Sequence, residues 1–85
     1  MTTTFYIATQ IKKSNGVLQW YNTKHYDTEE QARPVYESRM AKPNATEVIL
    51  WKQIHYDAVE LIPRFAKMYP DGMNDYRAIA VHSRI

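Results

Sequence analysis

The chain has 85 residues, 45% hydrophobic and 24% charged, with two glycines and no cysteine. That is a globular composition, and it excludes a disordered linker, a disulfide framework and a thiolate metal site. The net charge of +2 is too small to predict a polyanion partner and too mixed in sign for an acidic nucleic-acid mimic.

A mass of 10.1 kDa allows one core, so a single domain over residues 1–85 is expected, with about 64% of the unfolded chain's surface buried on folding. Basic residues lead the chain (Lys12, Lys13 and Lys24, with no acid before Asp27), and acids dominate residues 27–47. No apolar run approaches the roughly 18 residues of a membrane span, and Met1–Ile7 lacks the pattern of a signal peptide. A cytoplasmic protein with no membrane contact is expected.

Asn15-Gly16 is the preferred dipeptide of a two-residue hairpin turn, because both residues tolerate positive φ. Such a turn sets Ser14 opposite Val17, Lys12 opposite Gln19, Ile11 opposite Trp20 and Gln10 opposite Tyr21. Alternation then places Phe5, Ile7, Ile11, Leu18 and Trp20 on a core face. Tyr6, Ala8, Gln10, Lys12, Gln19 and Tyr21 fall on a half-exposed one.

Thr28 followed by Gln31 fits a capping box, and Glu29 and Glu30 suit the positive end of a helix. Ala32, Val35, Tyr36 and Met40 recur at helical spacing. Pro34 interrupts this pattern, so the helix either kinks there or begins there. It ends near Ala41, before Lys42-Pro43-Asn44. Thr46–Tyr56 is apolar on both faces and is expected as a central strand. Residues 57–62 continue that strand or form a helical turn. Pro63 opens a short helix, Pro70-Asp71-Gly72 makes a turn, and Tyr76–Ile85 is the last strand. In that strand Ile79, Val81 and Ile85 are expected opposite Tyr76, Ala78, Ala80 and His82. The predicted fold is α+β: an antiparallel sheet of three to four strands with one main helix packed on one face. The other face is left to residues 57–75, a second copy or a partner.

Catalytic spacing is absent. His25, His55 and His82 include no closely spaced ligand pair, so no metal and no cofactor are expected. Ser14, Ser38 and Ser83 lie outside any strand–turn–helix elbow. Gly16 and Gly72 belong to turns rather than to a phosphate cradle.

What is abundant is aromatic surface, with seven tyrosines and two tryptophans, residue types that favour contact surfaces. The expected function is non-enzymatic binding of a protein. The expected binding residues are Tyr6, Lys12, Gln19, Tyr21 and Lys24. Single-stranded nucleic acid is the alternative ligand for the same surface, since aromatics beside cations stack and neutralise such strands. An uncovered sheet face also admits a homodimer.

The hairpin, the run Tyr26-Asp27-Thr28-Glu29-Glu30-Gln31-Ala32 and the strand Glu47-Val48-Ile49-Leu50-Trp51 together resemble small bacteriophage accessory proteins. These include host-takeover and anti-defence inhibitors such as some anti-CRISPR proteins. The resemblance covers residues 4–56. It implies an inhibitor that works in the host cytoplasm by surface contact with a host protein or protein–nucleic-acid complex. It carries over no individual site residue.

Overall fold

In the computed structural model, which describes residues 1–84, the chain runs β1 (Thr2–Lys12), β2 (Leu18–Asn22), α1 (Glu29–Met40), β3 (Ala45–Tyr56), α2 (Pro63–Met68) and β4 (Met73–Ser83). A 3-10 turn at Ala58–Glu60 joins β3 to α2. The strands make one antiparallel sheet in the order β2-β1-β3-β4. This is the expected α+β architecture, and the doubly apolar β3 lies inside the sheet. Ile85, assigned to the last strand from the sequence, lies outside the described residues.

The helix start follows its sequence signals. Thr28 is the N-cap, its Oγ1 accepting from the Gln31 N–H at 3.2 Å, and the Gln31 side chain accepts from the Asp27 N–H at 3.1 Å. The helix runs through the Pro34 position rather than starting there. Proline leaves the Glu30 carbonyl without its intrahelical donor, which is tolerable because Glu30 and Pro34 both face solvent. The last carbonyl of α1 and the turn that follows it are held by Arg84. Its guanidinium donates to Met40 O, and to Lys42 O at 2.8 Å.

The hairpin forms where expected, but its register differs by one residue. The loop has three residues, not two: the Lys13 N–H donates to Val17 O, the Gly16 N–H donates to Lys13 O, and Gly16 takes φ 84°. This is a type I turn closed by a glycine in the left-handed region, the common three-residue hairpin. Lys12 therefore faces Leu18, Ile11 faces Gln19, Gln10 faces Trp20 and Thr9 faces Tyr21. A one-residue slip exchanges the two faces of a strand. Leu18 and Trp20 consequently leave the expected core face, and Gln19 and Tyr21 leave the expected exposed one.

A second correction arises in β4. Leu50 pairs with Ala80 while Trp51 pairs with Ala78, so Ile79 is an extra residue in a β-bulge. The bulge breaks the simple alternation read from the sequence. Ile79, Ala80 and His82 point to the α1 side, whereas Tyr76, Ala78 and Val81 share the other side.

The main core cluster lies between α1 and one face of the sheet, with the buried Ile54 further along β3. Ile7, Val48 and Leu50 from β1 and β3 meet Ala32 and Tyr36 of α1, with Ala45 closing one end. Burial raises the Tyr36 hydroxyl above its ordinary pKa, with Arg33 pulling weakly the other way. The second helix, α2, occupies the same side of the sheet at its far end. There it is separated from Tyr56 and Met73 by a hollow of about 460 Å³. The molecule measures 50 × 27 × 19 Å with a radius of gyration of 16.0 Å, against about 12 Å for a compact domain of this length. Among the described residues, no helix is long and apolar enough to cross a membrane.

Candidate binding surface

With α1 and α2 on one side of the sheet, the other side is bare, and cross-strand pairing sorts its side chains into rows. Tyr6, Trp51 and Ala78 form one row, and Asn22, Ala8, Ile49 and Val81 the next. Trp20 stands beside Gln10 and Glu47, Leu18 beside Lys12, and Tyr76 beside Gln53.

The Tyr6 and Trp51 rings stack with centroids 4.4 Å apart and planes 13° apart. From β4, Tyr76 tilts against Trp51 with centroids 5.9 Å apart. These rings come from strands on either side of β3, so the Trp51 indole has a neighbour on each flank. Its Nε1–H donates to Asn22 Oδ1 at 3.3 Å. Four side chains project from this floor: Tyr76 is 60% exposed, Val81 56%, Leu18 49% and Trp20 45%. Between Trp20 and Tyr76 lies a hollow of about 390 Å³ whose walls include Ala8, Asn22, Ile49 and Ala78, with Arg77 at its border. Small residues in the middle and large ones at the margins create it.

Charge is sparse on this face. Lys12 lies at one end, two residues along β1 from the Gln10–Glu47 pair. At the other end His55 Nδ1 is 2.8 Å from Asn74 Oδ1, and His55 Nε2 is 3.6 Å from Asp57. Lys52 and Arg77 are cross-strand neighbours on the helix side.

Of the residues expected to bind, Tyr6 and Lys12 are on the bare face. Gln19 and Tyr21 are on the opposite side, at the β2 edge beyond the reach of α1, which leaves Tyr21 42% exposed. Lys24 is exposed on the link between β2 and the Phe5–Tyr26 bridge. Trp20, Trp51 and Tyr76 complete the surface and were not among the expected residues. A signal for Trp51 was present, since Ile49 and Trp51 alternate with the buried Val48 and Leu50. Trp20 could be found only by considering the three-residue loop, in which Gly16 supplies the left-handed residue.

No group of three or more histidine, aspartate or glutamate side chains is placed to hold a metal ion among the described residues. The acids bordering the α2 hollow are engaged. Glu60 accepts from the Met1 ammonium and from the Asp57 N–H, which together hold its carboxyl below the usual range, and Asp75 pairs with Arg77 at 2.9 Å. The bare sheet face is thus left as an uncommitted apolar surface. No family model, curated protein or solved structure matches this chain, and the surface has to be read from its own geometry.

Proposed function

We propose that this chain is a non-enzymatic protein-binding module that acts by surface contact through the bare face of its sheet. The observation that carries this reading is the Tyr6–Trp51–Tyr76 row, with Trp20 beside it, on a face that no helix covers. An apolar face of this kind is stabilised by being covered, and aromatic anchors around a hollow are what the centres of protein interfaces use.

Single-stranded nucleic acid fits the same face less well. A stacking platform needs free ring faces and cations that follow the backbone, but the Trp51 ring is flanked on both sides and Lys12 stands next to an acid-bearing row. Occupancy is directly readable, because both tryptophans of the chain are on this face. Immobilised wild-type chain is expected to retain a protein from nuclease-treated bacterial lysate, or further chain of its own, and the double variant Trp20→Lys, Tyr76→Lys is expected to lose it. Binding of a thymidine oligonucleotide that quenches the tryptophans and weakens steeply with salt would replace this reading with the nucleic-acid one.

A further inference from the structure

We infer that the protein covering this face is a second copy of the chain, packed sheet against sheet about a two-fold axis. The inference rests on the reading of the bare face as a protein-binding surface, and it adds the identity of the occupant.

The first argument is area. The chain exposes 5876 Å², whereas a folded monomer of its mass exposes about 5,300 Å². The excess is about 600 Å² by that scaling. Strands of 11, 12, 11 and 5 residues make a face of roughly 600 Å² at about 4.8 Å between strands and about 3.3 Å per residue. The surplus surface is thus the size of one sheet face. Two such faces together bury roughly 1,200 Å², the lower bound of stable interfaces.

The second argument is shape. A two-fold interface must be complementary to itself. This face carries both halves of such a fit: the projecting Trp20 and Tyr76, and the hollow between them above Ala8 and Ala78. Packed at about 10 Å sheet separation, each copy offers a projection where its partner offers a hollow.

The third argument is charge. The face bears Lys12 and Glu47 near the same end, and Arg77, which borders the hollow, is paired with Asp75 at 2.9 Å, so two copies approach with their charges largely offset.

Sedimentation from about 1 to 500 µM tests this on the intact chain. The expected result is a doubling of the 10.1 kDa mass, with the tryptophan emission shifting to the blue over the same concentrations. Trp20→Lys with Tyr76→Lys should raise Kd at least about 100-fold while circular dichroism shows the fold retained. Val81→Glu, on the same face but outside the aromatic row, should act in the same direction and serves as the second variant. A monomer throughout overturns the inference, as does a dimer unmoved by all three substitutions, which would pair through a strand edge. A monomer that retains a nuclease-resistant foreign protein through Trp20 and Tyr76 overturns the second copy alone and leaves the binding face standing. Variants that retain everything the wild-type chain retains overturn both.

Discussion

Thr9 is 1% exposed, and its hydroxyl has no hydrogen-bond partner among the described residues. It lies on the covered side of the sheet, opposite Val48 on one flank and Tyr21 on the other. Leaving a buried hydroxyl unpaired costs about 1–3 kcal/mol, whereas an apolar group of the same shape carries no such penalty. Thr9→Val is that replacement, and valine and threonine are both good strand residues. The variant should therefore be more stable by about 1–3 kcal/mol. At about 2.1 cal/mol/K per residue, the unfolding entropy of an 85-residue chain is roughly 180 cal/mol/K, so each kcal/mol raises Tm by about 6 °C. Urea denaturation followed by circular dichroism measures this, at one fixed chain concentration because self-association would shift the midpoint. Thr9→Ser keeps the hydroxyl and loses a methyl, so it should fall below wild type by about 1 kcal/mol. Equal or lower stability for Thr9→Val would show that the hydroxyl is partnered in solution and that the closed side is not as dry as the packing indicates.

The two glycines separate conformational strain from collision. Gly16 has φ 84° and open space where a methyl group would stand, while at Gly72 (φ 93°) a Cβ would collide with Tyr56 O. Gly16→Ala should lose about 1–2 kcal/mol and Gly72→Ala distinctly more, both read by urea midpoint. Pro34→Ala restores the missing helical donor and should stabilise the fold by up to about 2 kcal/mol, being the roughly 3 kcal/mol helix penalty less the entropy that proline removes from the unfolded chain. For Tyr36 the folded pKa is raised, so its contribution is complete below the unfolded tyrosine value of about 10 and is lost as pH rises through the folded value. Tyr36→Phe should therefore flatten the alkaline part of a stability profile measured by urea midpoint from about pH 9 to 11.5, a window set around that unfolded value.

Much of the fold is legible in the chain because its punctuation is strong. Thr28-Glu29-Glu30-Gln31 starts the helix, Lys42-Pro43-Asn44 stops it, Pro63 opens α2 and Gly72 turns the chain into β4. The central place of β3 follows from Val48, Ile49, Leu50 and Trp51 being apolar on both faces. The candidate site was harder to read because side assignment depends on single-residue offsets. Asn15-Gly16 is compatible with a two-residue or a three-residue loop, and local propensity does not choose between them. Nor does anything within Ala78-Ile79-Ala80 mark Ile79 as the bulged residue. The bulge shows only in the pairing with β3, where Leu50 takes Ala80 and Trp51 takes Ala78.

Those offsets bear directly on the binding surface. Shortening the hairpin loop by one residue would rotate Leu18 and Trp20 toward the α1 side and bring Gln19 and Tyr21 out. In that register Trp20 would stand beside Ile11, which packs against the core and pairs with the buried Ala45 on its other flank. The bare face would lose one wall of its hollow and retain Tyr6, Trp51 and Tyr76 around a polar margin. The left-handed glycine at position 16 and the bulge at Ile79 therefore act together. The first delivers Trp20 from the β2 edge, and the second lets Tyr76 share a side with Val81 while Ile79 and Ala80 remain in the core. The two register devices, at opposite edges of one sheet, thus set apolar side chains on the one face that the proposed contact would cover.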